Sequence, residues 1–150
     1  MTRFRSLLLT LLFAGEAWAG DLVVISNPAA GIERLRREDV INLYMGRFRQ
    51  LPSGIAATPV DLAQEAGPQK QQFYERLVGR DLAEIRAYWS RLTFSGQASP
   101  PMQVGSEAQV LDVVASRVGA VGYVHRRAVD ARVHIVYELG DPGAATPHTP

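Results

Sequence analysis

The sequence predicts an α/β domain in which helices pack on a mostly parallel sheet. Short apolar runs typical of buried strands recur along the chain, and segments with apolar residues at helical spacing separate most of them. Cysteine is absent and 47% of the residues are hydrophobic, so a hydrophobic core rather than disulfides must stabilise the fold. A chain of 150 residues is long enough for one such domain.

The first 19 residues have the three-part plan of a secretory signal. Arg3 and Arg5 precede an apolar run at 7–14, and the sequence A-W-A at 17–19 has the small residues of a cleavage site. The run is too short for a stable membrane anchor, so cleavage after residue 19 is favoured over an uncleaved anchor. We therefore expect a periplasmic protein without stable membrane insertion after cleavage.

The charge balance argues against a nucleic-acid partner. Cleavage removes two arginines and one glutamate from the 16 basic and 15 acidic residues, which leaves a mature chain without net charge. Acidic residues are interspersed among the basic ones, so no basic stripe forms.

The mature domain, residues 20–139, begins with a strand and a helix. The run DLVVIS at 21–26 predicts a buried strand that ends before the Asn27-Pro28 turn. A helix is expected to start near Arg36, because Leu35 and Val40 have the spacing of a hydrophobic staple. Gly46 is expected to end this helix in a left-handed cap.

The stretch TPVDLAQEAGPQKQQFY predicts a strand, a tight turn and the start of a helix. Gly67 suits the N-cap and Pro68 the first helical position. The amides of Gly67, Gln69 and Lys70 would then lack intrahelical partners, and the helix dipole would favour a docked anion. Most turns of this kind bind nothing, so a purely structural role is the alternative.

The second half predicts two capped helices. Asp81 with Glu84 forms a capping box for a helix whose apolar residues follow at i, i+3, i+4 and i+7 from Ile85. Ser106 with Gln109 forms a second capping box, after a Pro-rich connection that leads into a short strand at 102.

The last two strands are predicted at 120–124 (AVGYV) and 133–139 (VHIVYEL). Gly122 inside the first of them is typical of a buried strand pressed close to a neighbour. Residues 140–150 lack an apolar pattern and are expected to form a disordered tail.

The candidate binding residues follow predicted strands. In parallel sheets ligands lie beyond the carboxyl ends of the strands, so we expect the turns after three strands to converge on one face. The predicted binding residues are Ser26, Gly67, Gln69, Lys70, Gly105 and Ser106, with phosphate or another small anion as ligand.

No motif of an enzyme is present. The sequence lacks a nucleophile elbow, a zinc-binding H-E-x-x-H, a P-loop and a dinucleotide fingerprint. A pairing of Ser106 with His125 is conceivable, but their spacing does not require it. We therefore predict a protein that is not an enzyme, with no catalytic residue, metal site or cofactor.

Four segments in this order carry a resemblance to a known family. They are VVISNP, REDVINLYMGR, PVDLAQEAGPQKQQFY and VGSEAQVLDVVASRVGAVGYV. This order resembles one lobe of the periplasmic phosphate-binding proteins, which have the type II solute-binding fold, and is similar to short exported single-lobe relatives. It covers residues 21–138. In the full-length family, two lobes close on the anion, which implies an anion ligand and a transport role.

The family pattern is not complete. If Phe73 is set on the family's helix phenylalanine, Ala63 stands where the resemblance implies an arginine, and residues 67–69 replace a Ser-Gly-Thr run. The side-chain ligands for phosphate are therefore missing, and Asp61 and Glu65 bring negative charge nearby.

Two functional hypotheses follow. The first is a non-enzymatic exported module that binds a small anion weakly or binds a protein partner, such as an envelope protein or a second copy. The alternative is the substrate-binding component of a phosphate ABC transporter, with the second lobe supplied by another chain. Phe48 lies between two arginines in a loop, where it either contacts such a partner or folds into the core.

Overall fold

A five-stranded sheet forms the centre of the domain. The computed structural model describes residues 21–140, with strands β1 Leu22–Ser26, β2 Thr58–Leu62, β3 Met102–Val104, β4 Ala120–His125 and β5 His134–Glu138. Their order across the sheet is β3-β2-β4-β1-β5. β2 is parallel to β3 and β4, whereas β1 is antiparallel to both β4 and β5. The predicted α/β arrangement with a mostly parallel sheet is confirmed.

Four helices flank the sheet: α1 Arg37–Tyr44, α2 Gln69–Val78, α3 Leu82–Phe94 and α4 Glu107–Ser116. Both bonds of the predicted capping box at α3 are present, since Glu84 N donates to Asp81 Oδ1 at 2.8 Å and Asp81 N donates to Glu84 Oε2 at 3.1 Å. At α4, Gln109 N donates to Ser106 Oγ at 3.2 Å. Gly46, with φ 72°, provides the predicted left-handed turn just after α1.

The start of α2 differs from the prediction by one residue. Pro68 is the N-cap and Gln69 the first helical residue, whereas Gly67 precedes them with φ 130°. The segment Gln64–Ala66 forms a turn of 3-10 helix, so the chain needs one more residue to enter α2. The glycine conformation at 67 reverses the chain between these two short helical turns.

Helices cover both faces of the sheet. On one face α4 packs closely, because a Cβ at Gly122 would overlap Val110 Cγ1, which confirms the predicted tight approach of β4. On the other face, α1 and α2 bury an aromatic cluster made of Tyr44, Phe73, Tyr74 and Tyr123. The rings of Phe73 and Tyr123 are stacked, with centroids 3.8 Å apart. The helix α3 packs against α2.

The direction of β1 corrects one prediction. Ser26 is paired with Val121 near the start of β4, whereas the turns that contain Lys70 and Ser106 follow the ends of β2 and β3. The expected convergence of Ser26 with these turns is therefore wrong, because β1 runs opposite to its neighbours. Ser26 is fully buried at the opposite end of the strands, and its Oγ has no hydrogen-bond partner within residues 21–140.

The predicted signal at 1–19 lies outside the described residues, as does the predicted tail after residue 140. Between residues 21 and 140, every helix is too short or too polar to cross a lipid bilayer.

Candidate functional site

A buried carboxylate lies directly beneath the start of α2. Asp61, on β2, is only 2% exposed and accepts hydrogen bonds from Tyr123 Oη at 2.5 Å and Tyr74 Oη at 2.8 Å. Lys70 Nζ lies 3.3 Å from Asp61 Oδ2, with the lysine side chain 11% exposed. Three donors from α2 and β4 therefore surround one carboxylate in a region that is largely closed to water. We call Asp61, Lys70, Tyr74 and Tyr123 the Asp61 cluster.

The fold brings these residues together through simple geometry. Alternation along β2 turns Asp61 toward the face covered by α2, and the side chain of Lys70, in the first turn of that helix, leans back over the strand. Tyr123 of β4 lies on the same face and also accepts from Leu62 N at 3.3 Å. Burial is the main cause that raises the pKa of Tyr74 and Tyr123 well above the ordinary tyrosine value, and the negative charge of Asp61 is the second cause.

The predicted anion ligands at the α2 turn are used differently in the structure. The ammonium of Lys70 faces the carboxylate of Asp61 instead of pointing out of the turn. The side chain of Gln69 folds back over Gly67, so that a Cβ at Gly67 would collide with Gln69 Oε1. The turn therefore offers backbone amides at the start of α2 but no free cationic side chain of its own. Anion binding by these residues remains a prediction.

The turn after β3 is close by but internally bonded. Ala63 N donates to Val104 O at 2.8 Å, which joins the ends of β2 and β3. The amide of Gly105 donates to Gln109 Oε1 at 2.7 Å, and Ser106 Oγ accepts from Gln109 N. Gly105 and Ser106 thus lie at the same end of the strands as the α2 turn. The Gly105 amide and the Ser106 hydroxyl, however, are bonded to Gln109 in the first turn of α4.

The pairing of Ser106 with His125, which the sequence does not require, is absent from the structure. His125 Nδ1 lies 2.8 Å from Glu107 Oε1, and the same oxygen accepts from His125 N at 2.6 Å. Since Ser106 Oγ caps α4 and His125 contacts a carboxylate, these side chains do not form a serine nucleophile with its base. Within residues 21–140, no cluster of three or more His, Asp or Glu side chains could hold a metal ion.

Two adjoining grooves open beside the Asp61 cluster. The first, of ≈ 650 Å³, lies between α3, the α2 turn and β3; its lining residues include Asp61, Lys70, Arg86, Trp89, Phe94 and Gln103. The second, of ≈ 620 Å³, is lined in part by Phe48, Arg49 and Met102. Thr93, Pro100 and Pro101 belong to both. The walls of the first groove are mainly apolar, whereas those of the second are polar and apolar in about equal parts. Phe94, at the rim of the first groove, is 97% exposed.

Comparison with known proteins identifies the fold. No protein-family model matches the sequence, and a search of curated proteins finds no match. Among solved structures, an ABC-type phosphate transport receptor from Vibrio cholerae matches with a TM-score of 0.62 and 16% identity, over 78% of this chain and 45% of that one. A protein described as a phosphate ABC transporter substrate-binding protein with bound phosphate, from Clostridium perfringens, matches with a TM-score of 0.60 and 12% identity.

This chain has the phosphate-binding-protein-like fold. The resemblance predicted from the four sequence segments is confirmed at the level of the fold. The chain spans less than half the length of these structures, because the match covers 45% of the first and 44% of the second. At 12 to 16% identity the likeness shows the fold alone.

Sequence reasoning missed the central role of Asp61. The sequence indicates Asp61 only as a negative charge near the turn, and it does not predict the hydrogen bonds from Tyr74 and Tyr123. A signal was available, because an aspartate inside a buried strand needs donors. The tyrosine in α2 and the one in the apolar run AVGYV were candidates for that role.

Proposed function

We propose that this domain is a non-enzymatic exported module of the phosphate-binding-protein-like fold that binds a protein partner. One observation carries the proposal: the carboxylate of Asp61 occupies Lys70, Tyr74 and Tyr123, the donors nearest the α2 turn. An internal anion thus takes the groups that an external anion would need. The two grooves beside it remain open.

Electrostatics favours the internal carboxylate over a bound phosphate. Opposite charges at 3.3 Å in a region of low dielectric attract strongly, and an external anion would have to displace a carboxylate already held by three donors. Glu65 also lines the groove and would repel a second anion there. What remains for an anion is the amides at the start of α2, to which water binds well in an open groove.

A phosphate receptor completed by a second unit is the other candidate. It is supported by the match to phosphate-receptor structures and by the fact that this chain spans less than half of their length. In that case a second chain would supply the remaining ligands. The two proposals differ in whether phosphate binds at all: the partner module does not require it, whereas the receptor binds it together with another chain.

Two measurements test the proposal. Calorimetric titration of the purified domain with inorganic phosphate should give no resolvable heat of binding; tight binding by the domain alone would refute the partner-module reading. In the native host, a photo-crosslinking residue at Phe94 should give one discrete adduct, whereas the same residue at Val118, exposed by 44% and outside both grooves, should give none. Equal adducts at both positions, or none at Phe94, would refute it.

Export is tested separately. Cleavage after residue 19 predicts that the mass of the protein recovered from the periplasm corresponds to a chain that starts at Gly20. A periplasmic protein that still carries Met1 would contradict the cleavable signal.

A further inference from the structure

The strand β3 forms an open edge of the sheet. Val104 O accepts from Ala63 N, which turns the backbone groups of Val104 toward β2. In a parallel pair the N–H and C=O of one residue face the same side, and the next residue faces the other side. The N–H and C=O of Gln103 therefore point away from β2, and no strand within residues 21–140 pairs with them.

The opposite edge of the sheet is protected. The outer side of β5 is covered by the loop before α1, where Leu35 N donates to Val136 O at 2.8 Å. Exposed edge strands are usually blunted in this way, since free backbone groups invite pairing with another chain. β3 is protected by its short length of three residues and by Pro100 and Pro101 directly before it, but Gln103 at its centre is exposed.

The open edge borders both grooves. Gln103 lines the groove that also contains Trp89 and Phe94, and Met102 lines the neighbouring groove. Trp89 is 8% exposed and forms the wall, whereas Phe94 is 97% exposed and stands free at the rim. An apolar side chain placed beside β3 would therefore cover Phe94, which no residue of the described chain covers.

Charge limits the kind of segment that fits. The ammonium of Lys70 is neutralised by Asp61, so Arg86 and Glu65 are the remaining charged residues of the first groove. Arg86 Nη1 donates to the amide oxygen of Gln64 at 2.8 Å, and Arg49 of the second groove donates to Gln97 O at 3.1 Å. Neither guanidinium has a carboxylate partner within residues 21–140, but Glu65 also lines the groove of Arg86 and would repel an acidic side chain there. Arg49 is the one charged residue among those that line the second groove, so it is the group that an acidic side chain would complement.

We propose that β3 binds an extended segment of a partner protein as a sixth strand, with an apolar side chain beside Phe94 and an acidic residue near Arg49. The main-chain bonds to Gln103 would hold the segment, and the groove would select its side chains. This inference rests on the proposed function, because it names the surface and the chemistry of the partner that such a module binds.

Selection from a phage-displayed random peptide library tests the inference. The expected result is enrichment of peptides that combine apolar or aromatic residues with Asp or Glu. A selected peptide is then synthesised, and its Kd is measured by calorimetry. Failure to enrich any peptide, or enrichment of basic peptides, would overturn the inference.

Two variants at one position separate strand pairing from side-chain contact. Gln103→Pro removes the outward N–H without removing a bond to β2, and Gln103→Ala keeps it. Loss of strand pairing should raise the Kd roughly tenfold in the proline variant, while the alanine variant stays within about twofold of the wild type. Equal Kd values in both variants would overturn strand pairing. Melting curves check that both variants fold, and if the proline variant does not fold, hydrogen exchange decides: the peptide must protect the amide of Gln103.

A second control tests the groove. Phe94→Ser should weaken peptide binding, whereas Val118→Ser should not, because Val118 is an exposed apolar residue outside both grooves. Dimerisation of the domain through β3, seen by sedimentation and abolished by Gln103→Pro, would overturn the inference in favour of a second copy. An adduct at Phe94 in the host together with no effect of Gln103→Pro would overturn strand pairing and leave the proposed function standing.

Discussion

Replacement of Asp61 by asparagine isolates the energetic role of the buried ion pair. Asp61→Asn keeps the size of the side chain but removes its charge, so Lys70, with 11% of its side chain exposed, loses its counter-ion. The hydroxyls of Tyr74 and Tyr123 also lose a charged acceptor. Removal of one partner from a buried ion pair costs about 3–5 kcal/mol, because the other charge stays buried. We expect the free energy of unfolding to fall by about this amount.

Urea denaturation measures the effect against a matched control. Asp112→Asn removes a carboxylate 3.0 Å from Arg132 in an exposed pair, and exposed pairs contribute about 0–1 kcal/mol. The double variant Asp61→Asn with Lys70→Met should recover part of the loss, because no buried charge remains. A loss below about 1 kcal/mol for Asp61→Asn, equal to that of Asp112→Asn, would refute the interpretation that a buried charge pair organises the site.

Two further perturbations probe the same face and the opposite one. Burial raises the pKa of Tyr44, Tyr74 and Tyr123 above the ordinary value of 10.0, so above pH 10 the unfolded chain binds fewer protons than the folded one. The free energy of unfolding is retained below that pH and should fall above it by up to about 1.4 kcal/mol per pH unit for each tyrosine. Urea unfolding at increasing pH measures this slope. If the slope is unchanged in Tyr74→Phe, Tyr74 does not contribute to it. On the other face, Gly122→Ala places a Cβ 3.2 Å from Val114 Cγ2 and against Val110, so it should lower the melting temperature through about 1–3 kcal/mol of overpacking. Gly105→Ala, whose Cβ meets only Gln109 Oε1 at 3.4 Å, should have little effect, and equal losses would exclude overpacking as the cause.

Local sequence signals predicted the elements well. The Asp81–Glu84 capping box, the Ser106 cap and Gly46 after α1 each specify a helix end through chemistry within a few residues. Such signals predict structure reliably because they do not depend on the position of distant parts of the chain. Strand bounds differ from the prediction by one residue or less at most ends, as apolar runs alone define them.

The sequence predicted the direction of the strands and the contacts between elements less well than it predicted the elements themselves. All five residues of β1 are buried, and a continuous apolar run carries no information about strand direction. The placement of Ser26 beside the other candidate residues failed for this reason. Lys70 is predicted to bind an anion at the start of a helix because the sequence alone does not show which strand residue lies beneath it.

The Asp61 cluster determines which groups of the α2 turn are free to bind an anion. With Ala63 in place of the arginine that the resemblance implies, the α2 turn has Lys70 as its cation, and Asp61 neutralises it at 3.3 Å. The same ion pair, together with the two tyrosine hydroxyls, satisfies a carboxylate that would otherwise be buried without partners. Phosphate binding by Lys70 or by the tyrosine hydroxyls would therefore require the domain to give up their contacts with Asp61. Binding along β3 requires no such loss, since Gln103 and Phe94 are already exposed. For this reason we propose recognition of an extended partner segment rather than capture of a free anion.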